Sequence, residues 1–383
     1  MSGARVCLVS LRGVNSHAAW CSNYEFEDVI SEVDEVDRFV LTPASGHAAR
    51  EWLASRVIWR PGLHRLTPHL NPGVQPIKLQ KDYDLFVFVC MNPNDLIYLS
   101  AIEGWKDRCK TKVCFMVEFY NGWVDECRFH LELLRDFDHV GLCFSSSVDG
   151  LQKAIGRPCH HVALGVDVLR YGPYPNPPER CVDVYSMGRR PDAAHAALLK
   201  LAADRNLFYI YDTIPGVLIK PRDHRQHRDL VAGCAKRARF FVTYPAKVDT
   251  PDETRGQSEV GARFFEGAAA GAVLIGQAPA NPAFAQDFNW RDAVVEIGTT
   301  DDSVAAALSA LSASPEYSAA LGRRNAVEAM RRFDWGYRWK QVLQLAGVAP
   351  LPQLNQRLAR LARRASDAES APVMEQLTFT TRS

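Results

Sequence analysis

The segment Arg263–Gly271 reads R-F-F-E-G-A-A-A-G, an arginine and a glutamate three residues apart in surroundings of phenylalanine, alanine and glycine. On a helix from about residue 260 to 270, Glu259, Arg263 and Glu266 fall within about 60° of one another. Gly271 is free to take the left-handed conformation that ends a helix. The preceding loop, D-T-P-D-E-T-R-G-Q-S-E-V-G, is polar and leads into a helix N-terminus, whose unpaired N–H groups suit a phosphate. A carboxylate one turn further in accepts hydrogen bonds from a ribose diol, each charge-assisted bond contributing about 1.5–3 kcal/mol. The expected chemistry is recognition of a nucleoside diphosphate, with Glu266 on the ribose. An amphipathic helix with a solvated charged edge is the alternative reading of the same stripe.

A second phosphate candidate is Gly188-Arg189-Arg190, a turn after the apolar run Val182–Met187, where guanidinium forks match diphosphate geometry. Near the N-terminus, L-V-S-L-R-G-V-N-S-H places Gly13, Asn15 and His17 in the loop after a first strand. His17 is a candidate general base because imidazole titrates near neutral pH. Its alternative is an ordinary exposed loop residue. Glu118, just before Tyr120, Asn121 and Trp123, is the rival base; a carboxylate beside aromatics also suits an acceptor sugar. The choice between them stays open. Asp82 and Asp84 imitate a metal-binding D-x-D, but they precede a strand and read as strand-start residues. No His/Cys/Asp group has metal-ligand spacing, so no metal and no cofactor is expected. D-H-R-Q-H-R-D-L, Asp223–Leu230, reads as a solvated basic patch.

The elements that must hold these residues alternate short apolar runs with helical patterns. Val6–Val9, Phe39–Leu41, Leu85–Cys90, Val113–Val117 and Val140–Phe144 read as buried parallel strands. Val182–Met187, Phe208–Tyr211, Arg239–Thr243, Val273–Ile275 and Val294–Ile297 read as a second set, with helices at Ala193–Ala203 and Asp301–Leu311. Two α/β units result, and 383 residues suit two cores. The proline-rich Y-G-P-Y-P-N-P-P-E-R, Tyr171–Arg180, separates them. Trp335, Trp339, Val342 and Leu343 share one helical face and predict a closing helix. Gln353–Arg364 reads as a solvated basic helix with a frayed tail after it, and peripheral membrane contact through its Leu354, Leu358 and Leu361 as the lesser reading.

A balance of 45 Lys+Arg against 44 Asp+Glu leaves no global field for nucleic acid or an anionic membrane. Ten cysteines without a C-x-x-C pair suit reduced thiols and a cytoplasmic location. The N-terminus reads as a first strand rather than a leader.

Together these residues support a resemblance. G-V-D-x-x-x-Y-x-P at Gly165–Pro173, the Gly188-Arg189 turn, and R-x-F-E-x-x-A-x-G at Arg263–Gly271 resemble segments of group 1 glycosyltransferases of the GT-B fold, especially the spore-maturation-protein-like subgroup. The ending G-R-R-N-A-V-E-A-M-R-R-F-D-W-G-Y-R-W-K-Q-V-L is similar to that family's closing helices. The resemblance spans about residues 145–347. It implies two Rossmann-like domains facing each other across a cleft: an acceptor domain at 1–168, a nucleotide-sugar donor domain at 169–332, a closing helix at 333–349 that crosses back to the first domain, and a basic helix and tail at 350–383. It also implies metal-independent transfer of a sugar from a nucleotide-diphosphate sugar to a hydroxyl acceptor. Gly188, Arg189, Arg190, Ser258, Glu259, Arg263 and Glu266 are expected on the donor, and Gly13, Asn15, Tyr120 and Trp123 on the acceptor. Many such enzymes carry two glutamates seven residues apart; here Ser258 stands at the first position, with Glu259 beside it. That departure keeps an inactive sugar-nucleotide-binding or scaffold protein as the alternative. A nicotinamide-dependent oxidoreductase is disfavoured, because the first strand is followed by a single glycine and no G-x-G-x-x-G.

Overall fold

The structure, a computed structural model, describes residues 3–205, 207–214 and 218–370. The N-terminal body contains β1 (Val6–Ser10), β2 (Val36–Val40), β3 (Ile77–Lys78), β4 (Tyr83–Cys90), β5 (Ile102–Glu103), β6 (Cys109–Met116), β7 (His139–Leu142) and β8 (Cys159–His161). Six of these form one parallel sheet in the order β2-β1-β4-β6-β7-β8, while β3 and β5 pair separately. The second body contains β9 (Val182–Ser186), β10 (Tyr209–Tyr211), β11 (Ala238–Thr243), β12 (Val273–Gly276) and β13 (Val295–Glu296), again parallel, in the order β10-β9-β11-β12-β13.

Both sheets are doubly wound. Strands β1, β4 and β12 are buried along all or nearly all of their length, which is why they read as continuous apolar runs. Strand β2 departs from that reading: it lies at the sheet edge and is half-exposed, so its polar Asp37 and Arg38 are tolerated. The strand order reverses between β1 and β4 in the first sheet and between β9 and β11 in the second. Ligands of open parallel sheets gather outside the carboxyl ends at such points.

The helix Trp335–Leu345 crosses back to the first body. Trp335, Trp339, Val342 and Leu343 are fully buried, Arg338 Nε donates to the Leu164 carbonyl (3.0 Å), and Trp339 Nε1 donates to Asp34 (2.9 Å). The final helix, Pro352–Ser370, is not the solvated element expected. Leu354 and Leu361 have no exposed surface, and Arg357 donates to Asp334 (2.8 and 2.9 Å) and to Asp167 (2.5 Å). The apolar stripe read as a possible membrane contact is therefore covered by the protein's own helices. The frayed tail expected after it lies, from residue 371 onward, outside the described residues. Among the described residues no helix is long and apolar enough to cross a membrane.

Leu361→Ala is expected to cost about 2–5 kcal/mol, read as a lowered midpoint in urea unfolding; a solvated helix would lose almost nothing.

Candidate active site

Helix Ala262–Ala269 is capped by Gly261 and followed by Gly271 at φ +66°, and it carries Arg263 and Glu266 toward the first body. Phe264, Phe265 and Ala268 pack it into the core, so its small residues serve close approach to β11 and β12. Arg263 Nη1 donates to Glu266 Oε2. Gly188, at φ +88° in the turn after β9, lies directly against this pair: a Cβ placed there would sit 3.5 Å from Arg263 Nε. The two turns singled out from the sequence thus meet at the carboxyl end of the second sheet.

Glu266 is corrected in its role. It is 1% exposed; Oε2 holds Arg263 and Oε1 accepts from Arg228 Nη1, so it is not open to a ribose in this arrangement. Burial alone would raise its pKa, but Arg263 and Arg228 outweigh burial and hold the carboxyl below the usual range. Arg228 continues inward. Its Nε and Nη2 donate to Glu25 at 2.8 and 3.1 Å, and its guanidinium lies over the Tyr171 ring at 4.8 Å. Glu25, on helix Cys21–Val33 of the first body, also accepts from the Asp167 N–H (2.8 Å) and Trp335 Nε1 (3.1 Å). Arginines and glutamates therefore alternate from one body to the other.

The patch Asp223–Leu230 is accordingly not solvated throughout. Arg225 is exposed, whereas Arg228 is 2% exposed. The signal lay in its helix, His224–Arg237, where Arg228 shares one face with Val231, Ala232 and Ala235. Glu25 left a fainter trace, since its helix is buried almost all round despite three carboxylates in four positions.

Other expected donor residues divide. Arg189 is partly exposed and donates to Asp249 (2.8 Å), facing the cleft within electrostatic reach of Glu118. Arg190 is corrected: it donates to Asp212 Oδ1 (2.5 Å) and to the Asp212 carbonyl (2.9 Å), which ties the turn to the end of β10. Glu259, expected on the donor, is corrected as well. It is 1% exposed and accepts from the Ser146 N–H (3.2 Å), Gln257 Nε2 (2.8 Å) and Asn281 Nδ2 (2.9 Å), joining the bodies instead of meeting a donor. Ser258 belongs to the same bridge, its carbonyl accepting from Asn281 Nδ2 (3.1 Å).

On the opposite wall, Glu118 follows β6 and faces Lys247 Nζ at 3.6 Å. Burial raises its pKa, opposed by Lys247 and Arg189. Lys247, which sequence reading missed, follows β11 at the strand-order reversal, with φ +55° and its ammonium 4.6 Å from the Trp123 ring centroid. Trp123 is half-buried, but Tyr120 is corrected: it has no exposed surface, and its hydroxyl donates to the Ala246 carbonyl (3.4 Å), leaving no face for an acceptor. Gly13 is likewise a packing residue, since a Cβ there would lie 2.1 Å from the Leu41 carbonyl oxygen. Asn15 is half-buried, its carbonyl accepting from the Tyr24 hydroxyl (2.5 Å).

His17 stands where the bodies meet: the next residue, Ala18, donates its N–H to the Ile219 carbonyl (2.8 Å). Its Nδ1 is buried without a partner, and burial, aided by Lys220, lowers its pKa and keeps the ring neutral. Four residues on, Cys21 lies within electrostatic reach of Arg263 and Glu266. Among the described residues no group of three or more His, Cys, Asp or Glu side chains is placed to hold a metal ion. One hollow of about 370 Å³ is lined by Glu25, Asp28, Arg38 and Asp167 at the first-body end of this chain of charges, and another of about 390 Å³ lies beside Trp105.

Two parallel doubly wound bodies, facing each other through their carboxyl ends and locked by a returning helix, define the GT-B fold. Residues 211–344 match the family described as glycosyl transferase-like. The chain is similar in structure to an alpha,alpha-trehalose 6-phosphate synthase from Burkholderia multivorans, at 10% identity over 90% of this chain and 99% of that one, TM-score 0.54. It is also similar to an alpha,alpha-trehalose-phosphate synthase (UDP-forming) from Burkholderia vietnamiensis, at 11% identity over 90% and 100%, TM-score 0.52. A third is an alpha-glucosyltransferase in complex with UDP-glucose and DNA containing an abasic site, at 9% identity over 90% and 100%, TM-score 0.50. No curated protein matches the sequence.

Arg228→Ala leaves two buried carboxylates facing each other and is expected to cost about 3–5 kcal/mol. Arg225→Ala, on the same helix, should cost under about 1 kcal/mol. Paired unfolding curves check the contrast.

Proposed function

We propose that the protein transfers a sugar from a nucleotide-diphosphate sugar to a hydroxyl acceptor without a metal ion, the second body holding the donor and the first the acceptor. The observation that carries this reading is Arg263, oriented by Glu266 and laid against the Gly188 turn at the carboxyl end of β9. Arg263, Arg189 and Lys247 converge on one cleft, each paired there with a carboxylate, Glu266, Asp249 and Glu253, and a departing diphosphate takes up their positive charge in the transition state. Glu266 is a positioning residue: held by two arginines, it fixes the guanidinium that meets the phosphate. The acceptor oxygen bonds to the anomeric carbon as the carbon–oxygen bond to the diphosphate breaks, and the acceptor proton passes to His17 Nδ1. Glu118 faces Lys247, whose ammonium is held by Glu253 at 2.6 Å, and is the weaker base. The R-x-F-E segment supports placement near the spore-maturation-protein-like subgroup.

A second reading, sugar-nucleotide binding without turnover, is favoured by one observation: Glu259 is engaged between the bodies, and the neighbouring serine supplies no carboxylate for a donor sugar. Slow donor hydrolysis in the absence of acceptor would exclude it.

Because a structurally similar enzyme is described as UDP-forming, UDP leads a thermal-shift panel with GDP, dTDP and ADP. Arg263→Ala should weaken the bound nucleotide about ten- to hundredfold, the loss of one charge-assisted contact. Unchanged affinity in a folded variant removes the assignment.

His17→Gln should lower kcat about 10²–10⁴-fold. With its pKa lowered by burial, the wild-type imidazole stays neutral at pH 7, and the rate falls only at a pH below the ordinary imidazole range. A pH–rate profile that keeps this acid limb in the variant assigns the limb to another group.

A further inference from the structure

The segment from His47 to Leu70, between β2 and β3, leaves much of its apolar surface uncovered. Trp52 is 60% exposed, Leu53 50%, Trp59 45%, Leu63 44% and Leu66 50%. Elsewhere among the described residues, large exposed apolar side chains are more scattered along the chain. On helix His47–Ile58 only Ala54 and Ile58 are buried, while Trp52, Leu53 and Arg56 point outward within about 100° of one another.

The charge of this face is as uneven as its polarity. The segment carries four arginines, Arg50, Arg56, Arg60 and Arg65, against the single Glu51. Glu51 is occupied, accepting from the Tyr98 hydroxyl at 2.7 Å and lying 3.7 Å from His47 Nε2. The nearest acid on the adjoining helix, Glu132, is paired with His64 at 3.5 Å. Arg56 lies over the Trp52 ring at 5.1 Å, and all four arginines are exposed. Tryptophans interleaved with exposed arginines have one end suited to an acyl boundary and the other to phosphate headgroups.

We infer that this face docks the protein on an anionic phospholipid bilayer. The complementarity is local: the whole chain is close to neutral, so the attraction comes from the arginines of this one segment acting within a Debye length of the surface. The uncovered tryptophans and leucines supply the insertion that charge alone does not. Tyr98 belongs to the segment Pro93–Ala101 that leaves the carboxyl end of β4, so the docked face adjoins the side on which the cleft opens. On the proposed transfer reading, this brings a membrane-borne hydroxyl acceptor to the first body. The docking itself does not depend on that reading.

Cosedimentation of the full chain with sized vesicles tests it, and needs no turnover. Phosphatidylcholine vesicles containing phosphatidylglycerol should retain the protein; vesicles of phosphatidylcholine alone should not. Arg60→Ala with Arg65→Ala should lower the partition coefficient roughly thirtyfold, the effect of removing two cationic side chains from the membrane surface. Trp52→Ser with Leu66→Ser should abolish retention without changing the melting temperature, since both side chains are exposed. Failure of the wild-type chain to bind anionic vesicles, or binding indifferent to both double variants, overturns the inference. So does a concentration-dependent dimer that Trp52→Ser dissociates, because a second copy of the chain would then cover the face.

Discussion

Four charged side chains in alternation, Arg263, Glu266, Arg228 and Glu25, run from the cleft of the second body into the first helix of the other. Three of them are almost wholly buried. Isolated charges there would cost several kcal/mol each to desolvate, so each is tolerable only because its neighbours on both sides have the opposite sign. This constrains the rest of the molecule. The two bodies cannot separate at this point without stranding an arginine or a glutamate, and the guanidinium at the cleft end is held in one orientation by a carboxylate that is itself held from behind.

Glu25 also explains why the closing helix must return. Trp335 Nε1 and the Asp167 N–H both end on its Oε1, so the junction between the bodies, the start of the connector and the crossing helix share one acceptor. Arg357 repeats the device one layer out, where Asp334 and Asp167 both receive it and draw the final helix into the core. On the opposite side of the cleft, Ser146, Gln257, Glu259 and Asn281 form a neutral-to-acidic bridge of ordinary hydrogen bonds. Between these two seams lie the groups that remain partly accessible: Arg189, Arg263, Lys247, Glu118 and His17.

Much of the fold was legible because its signals are local. A central parallel strand is buried on both faces, so Leu85–Cys90 and Val273–Ile275 announce themselves as short apolar runs, and a glycine such as Gly188 or Gly271 marks a turn needing positive φ. The meeting of Gly188 with Arg263 was also foreseeable, because Gly188 follows a strand and Arg263 opens a helix on the same, carboxyl side of one sheet. The errors have a common cause. Arg228 was read as solvated, and Glu259, Arg190 and Tyr120 as open to a ligand, because sequence does not show which polar or amphipathic residues are already engaged by the protein. Whether a charge is buried depends on whether a partner of opposite sign arrives from a distant part of the chain, and Glu25 is 203 positions from Arg228.

The sequence by itself determined two doubly wound α/β units, the connector between them, the closing helix and the pair of turns that could receive a diphosphate. Each follows from hydrophobic period, proline and glycine within a few residues. Only the tertiary structure decided which charged groups face solvent and which face each other, because that depends on how the two sheets are docked. The same docking set Glu25 behind Arg228, turned Glu259 into a bridge and brought Lys247 against Glu118.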